Sequence, residues 1–139
     1  MEILNGRCYK DPTAAEAIGN VTREMKRKKK IVFICSPYAG DIQGNTIRAR
    51  RYGRFAVTEG AVPVIPHLMF PQFLDDTNSD ERELGINMGL VLMTKCHEVW
   101  VFGNKISSGM ETEIKRAKNY DMVIRYFTSE CKEKRGGSK

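Results

Sequence analysis

Apolar positions along this chain switch between two spacings, and the switching predicts an ordered series of strands and helices. IVFIC, Ile31 to Cys35, is a continuous apolar run rich in β-branched residues, the pattern of a strand covered on both faces. SPYAGD follows as a loop. NTIRARRYGRFAVTEG then takes up helical spacing, with Ile47, Tyr52, Phe55 and Ala56 on one face, arginines on the other and Gly60 as the stop. AVPVIP predicts a second, short strand between prolines. HLMFPQFLDDTNSDER is a long, aromatic, proline-interrupted connection of the kind that often serves as a lid or binding loop. A second helix is expected from about Ser79 to Lys95, with Leu84, Met88, Val91 and Leu92 on one face. HEVWVFG reads as a third buried strand, ISSGMETEIKRA as a third helix, and MVIRYF, Met122 to Phe127, as a fourth strand.

This alternation predicts an α/β fold: a Rossmann-like or flavodoxin-like parallel sheet of four to five strands with helices on both faces. Ligands of such sheets sit outside the carboxyl ends of the strands. The rule nominates Ser36 to Asp41, His67 to Asp76 and Gly103 to Gly109 as one converging rim. The domain spans residues 31–128. Residues 1–30 read as a basic, partly helical N-terminal extension, with Asp11 as cap, Pro12 in the first turn and Ala14, Ala15 and Ala17 behind it. Residues 129–139 read as a disordered basic tail.

Composition narrows the class. A chain of 139 residues, 41% hydrophobic and 29% charged, suits one globular domain. No apolar run approaches the roughly 18 residues of a membrane span, and the N-terminus lacks the features of a secretory leader, so no membrane partner and a cytoplasmic location are expected. Cys8, Cys35, Cys96 and Cys131 form no C-x-x-C pair and no zinc spacing with histidine, which makes them structural thiols and gives no metal site. The formal charge of +6 is concentrated in REMKRKKK, Arg23 to Lys30. Such a run can contact nucleic acid, but no helix-turn-helix, zinc finger or aromatic RNA-binding pattern accompanies it.

The rim carries no G-x-G-x-x-G and no phosphate-loop signature, which disfavours a standard dinucleotide oxidoreductase or phosphate-loop NTPase. Ser36, Tyr38 and Asp41 offer polar contacts after the first strand instead. His67 can bind a base or phosphate, or pack its loop. Phe70 and Phe73 can cover a base or pin the connection to the core. Asp75 and Asp76 are read first as solvated loop acids.

Two glutamates open the third helix. At about 100° per residue, Met110, Ile114, Ala117 and Asp121 share a face, with Glu113 on its edge and Glu111 on the wet side. Ser108 and Glu111 fit a capping box, which accounts for Glu111 as a helix-start residue. Glu113 has no such account. It either reaches past the face to water, Arg116 or Lys118, or it serves a site.

The segments VFICSPYAGD, GNTIRARRYGRFAVTEGAVPVIPHLMFPQFLDD and EVWVFGNKISSGMETEIKRAK resemble the nucleoside 2-deoxyribosyltransferase-like family, in particular a branch of small proteins. The resemblance runs from Ile31 to Phe127. It implies a glutamate nucleophile four residues after a glycine, a spacing that falls on Gly109 and Glu113. It also implies cleavage or transfer at the N-glycosidic bond of a nucleoside or nucleotide, no cofactor, and a homo-oligomer. Ser36, Tyr38, Asp41, His67, Phe70, Ser107, Gly109 and Met110 would then contact substrate, and Arg48 and Arg51 would make a 5′-phosphate acceptable. Three positions depart from the family pattern: Ser107 replaces an aspartate, Phe33 replaces a tyrosine, and GINMGLVLMTKC lacks a sugar-binding aspartate. Those departures keep open a second expectation, a ligand-binding protein without turnover. A third is a nucleic-acid-associated protein using the basic arm.

Overall fold

The computed structural model describes residues 29–134; the predicted N-terminal extension, apart from Lys29 and Lys30, lies outside them, as do residues 135–139. Four strands appear where the apolar runs place them: β1 (Ile31–Cys35), β2 (Val62–Val64), β3 (Glu98–Phe102) and β4 (Val123–Phe127). They form one parallel sheet in the order β2-β1-β3-β4. β1 pairs Phe33 with Val64 on one side and with Val99 on the other. Every residue of β3 is buried, as an inner strand covered on both faces requires.

The helices are α1 (Ile42–Thr58), the short α2 (Pro66–Met69) with a 3₁₀ turn at Phe70–Gln72, α3 (Ser79–Met93) and α4 (Ser108–Asn119). α1 covers one face of the sheet. Tyr52 and Ala56 there meet Val32, Ile34, Trp100, Phe102 and Phe127. The ring of Phe102 stacks between those of Tyr52 and Phe127, with centroids 4.3 and 4.8 Å away. The other face buries Phe33, Cys35, Val99 and Val101 against Met93 of α3 and Met110, Ile114 and Ala117 of α4. Helices therefore lie on both faces of a four-stranded parallel sheet.

Two helix faces differ from the expectation. Ile47 is exposed, and Asn45 and Ala49 take the inward positions with Tyr52, Gly53 and Ala56. Asn45 is inside because its amide donates to the carbonyls of Tyr38 (3.0 Å) and Ala39 (3.1 Å), closing the loop after β1. In α3, two of the four expected stripe residues point outward, Leu84 48% and Val91 60% exposed, while Met88 and Leu92 are half-buried. The inward face is built on glycines. A Cβ on Gly89 would stand 3.7 Å from Pro66, and one on Gly85 3.4 Å from Leu74, so the smooth i, i+4 surface lets the connection after β2 lie close.

The tail also departs from expectation. Rather than being disordered from 129, the chain turns at Thr128–Cys131 and runs back along β4, with Thr128 N–H bonded to the Lys132 carbonyl and Lys134 N–H to the Tyr126 carbonyl. Glu133 accepts two hydrogen bonds of 2.8 Å from Arg125. Lys134 Nζ donates to the carbonyl of Gly103 at 2.8 Å. Among the described residues, no helix is long and apolar enough to cross a membrane.

Candidate functional site

The carboxyl ends of β1 and β2 and the amino end of α4 enclose a cavity of about 250 Å³. Ser36 and Tyr38 enter it from the loop after β1. Pro66, His67, Phe70 and Leu74 close it from the connection after β2, and Gly85, Ile86 and Gly89 of α3 form a wall. Ser107 to Met110, Thr112 and Glu113 contribute the α4 side. Of the residues the sequence nominates, Ser36, Tyr38, His67, Phe70, Ser107, Gly109, Met110 and Glu113 meet here. Asp41 is not in the lining: it caps α1, its Oδ1 accepting from Gly44 N–H at 3.1 Å. Met110 contributes backbone, since its side chain is in the core.

Ser107, not Ser108, caps α4, accepting from Met110 N–H at 3.2 Å. That shift dissolves the predicted capping box. Glu111 becomes the fourth helical residue, exposed and one position too far along to reach back to the cap. It does remain in the first turn, where the helix dipole favours an anion. Glu113 follows half a turn later on the side of the cavity. Its stem is partly exposed, yet Oε1 is buried and has no hydrogen-bond partner. Burial pushes its carboxyl up to about 7, opposed only by the nearby Cys35 thiol, which donates to the Met110 carbonyl at 3.8 Å. Cys35 is itself buried at the end of β1, and its own ionisation is suppressed by burial first and by the neighbouring Glu113 second.

A second polar atom is equally isolated. Ser36 is 1% exposed and its Oγ has no partner. Its carbonyl, by contrast, is held by His67 Nε2 at 3.0 Å. A carbonyl only accepts, so Nε2 carries the proton. Burial lowers the pKa of His67, which keeps the ring neutral, and Tyr38 stacks on it with centroids 4.9 Å apart. His67 is thus a loop-fixing residue that leaves Nδ1 as its remaining acceptor.

Asp75 is spent on its own turn, accepting from Thr77 N–H at 3.0 Å and Thr77 Oγ1 at 2.6 Å. Asp76 does line the cavity, with Glu81 and Arg82 at the same end. Arg48 is elsewhere, donating to Asn45 Oδ1 at 2.7 Å and pairing with Asp41. Arg51 is also outside the lining. Among the described residues, no group of three or more His, Cys, Asp or Glu is arranged to hold a metal ion.

Sequence reasoning missed Cys35, Asn45, Gly85 and Gly89. The glycine pair in GINMG carried a usable signal, because an i, i+4 repeat of glycine in a helix marks a close approach. Cys35 carried none.

Fold and cavity define a parallel α/β domain with a desolvated carboxylate at the carboxyl ends of its strands. Residues 30–127 match a family described as Domain of unknown function (DUF7768), and the chain belongs to that family. No curated protein matches it.

Proposed function

We propose that this domain cleaves the N-glycosidic bond of a nucleoside, with Glu113 as nucleophile. The observation that carries the reading is Glu113, a residue of the cavity lining whose Oε1 is buried without a hydrogen-bond partner. A desolvated carboxylate on a helix is costly to fold and suited to attack. Glu113 bonds to the anomeric carbon as the carbon–nitrogen bond breaks. The base leaves with that electron pair and takes a proton from solvent. Water or a second base then attacks the same carbon, giving up its proton to solvent as the ester bond to Glu113 breaks and the carboxylate leaves with that electron pair, with net retention. A cytoplasmic address is part of this reading, supported by the free thiols of Cys35, Cys96 and Cys131.

The lining supports an uncharged nucleoside over its 5′-phosphate. Asp76, Glu81 and Glu113 oppose a single arginine, Arg82, whose guanidinium also donates to the Asp76 carbonyl at 3.4 Å. Binding without turnover is the second reading. It is favoured by the Ser107 hydroxyl being occupied as a cap and by Phe33 being wholly inside the core, so neither supplies the missing sugar contacts. The third, a nucleic-acid contact, depends on a basic run that lies mainly outside the described residues.

The test is base release from a panel of deoxynucleosides and their monophosphates, with and without an acceptor base. Glu113→Gln should lower turnover by about 10³-fold or more, and Glu111→Gln should leave it near wild type. The nucleophile must be ionised, so kcat/KM should rise with pH and level off above about 7, the value set by burial of Glu113. Ligand-dependent thermal stabilisation with no base release would instead select the binding reading.

A further inference from the structure

The cavity holds a second carboxylate, which the proposed cleavage does not use. Glu113 stands beside Cys35, whereas Asp76 stands near the stacked rings of Tyr38 and His67. Burial and then the Asp76 charge push the Tyr38 hydroxyl up. At His67 the same charge, after the Ser36 carbonyl, opposes the fall that burial causes. The two carboxylates of the lining thus have different neighbours. Around Asp76, Glu81 is already committed, its Oε1 accepting from Asp75 N–H at 2.6 Å. Arg82 spends one nitrogen on the Asp76 carbonyl and keeps further donors, because a guanidinium carries five N–H groups. Asp76 is half-buried, and no hydrogen bond or ion pair to a described residue engages its carboxylate. Phe70, Leu74 and Ile86 give the same cavity an apolar wall. Its lining also includes two buried oxygens without a partner, Ser36 Oγ and Glu113 Oε1.

We propose that Asp76 and Arg82 select guanine as the base, Asp76 accepting from its N1–H and 2-amino group and Arg82 donating to its O6. The inference rests on the reading of the cavity as a nucleoside site. A carboxylate only accepts, through two oxygens side by side, and a guanidinium only donates. The complement of that pair is an edge with two neighbouring donors beside an acceptor. Among the four common bases guanine alone presents it. Adenine and cytosine offer one amino donor next to a ring acceptor, and thymine one N–H between two carbonyls. The wrong edge leaves an Asp76 oxygen facing another acceptor, which is how such a site rejects close analogues.

The experiment is isothermal titration of the full chain carrying Glu113→Gln, so that no nucleoside is consumed. Deoxyguanosine should bind about tenfold or more tighter than deoxyinosine, which lacks only the 2-amino group, and tighter than deoxyadenosine or thymidine. An asparagine offers one acceptor and one donor. Adding Asp76→Asn should therefore weaken deoxyguanosine by about tenfold or more and strengthen deoxyxanthosine, whose 2-carbonyl replaces the amino group. Deoxyguanosine binding no tighter than deoxyinosine would overturn the proposal, as would a guanine preference that survives Asp76→Asn. Equal binding of all the nucleosides sinks this inference alone, whereas no binding by any sinks the nucleoside reading with it. Base release, scored separately on the wild type, decides the cleavage step.

Discussion

A carboxylate that leaves water without gaining a donor at Oε1 raises the free energy of the folded anion, and Glu113 is in that position. Its pKa is about 7 in the folded chain against the ordinary 4.5, so between those values the folded protein holds a proton that the unfolded chain has lost. The associated stability is complete below about pH 4.5 and is lost as pH rises through 7. At pH 8 the penalty is on the order of 3 kcal/mol. Glu113→Gln should therefore be more stable than wild type at pH 8, by up to about 3 kcal/mol, and close to it at pH 4. Urea titrations at the two pH values measure this; equal midpoint shifts at both would contradict it. A residue that the fold tolerates at a loss, while Glu111 two positions earlier is an ordinary first-turn acid, fits a site better than a scaffold.

At the scale of elements, α4 is governed by its first turn. Ser107 caps this helix through its side chain, accepting from Met110 N–H, so Ser107→Ala should cost about 1 kcal/mol. Ser107→Asp should retain the cap and stability near wild type. Thermal melts of the two variants decide it, and an alanine variant as stable as wild type would show that the hydroxyl is not needed. The strands were legible because runs such as IVFIC and EVWVF have no alternative way to hide both faces. The cap of α4 was placed one residue late, on Ser108 instead of Ser107, because SSGM offers two serines in succession and periodicity does not say which one turns its hydroxyl back. Leu84 and Val91 of α3 were misassigned to the inward face for a related reason. An apolar face normally points inward, but glycines make a better inward face when a proline-rich connection has to lie against the helix. The place of Glu113 on the edge of the buried face was readable on the wheel, whereas its nearness to Cys35 joins residues far apart in sequence and leaves no local trace.

At the scale of the molecule, the tail ties the distal edge of the sheet to the loop that leads into α4. Arg125 holds Glu133, and Lys134 reaches the carbonyl of Gly103, whose φ of +113° is a conformation glycine adopts most readily. Truncation after Thr128 should lower stability by roughly 1 to 2 kcal/mol and speed amide exchange at Gly103 to Ile106. Hydrogen-exchange mass spectrometry reports both, and unchanged exchange in that loop would show that the tail is not a support.

The strand order has a consequence for how the chain is made. Among the described strands β1 is synthesised first, but the residues that complete its second edge come late: Ile31 meets His97, 66 positions downstream. A nascent chain can close β1 on β2 early and must then wait, with an apolar strand edge open, until β3 leaves the ribosome. Fragments ending before His97 should consequently be retained by chaperones or precipitate, whereas chains extended past β4 should not.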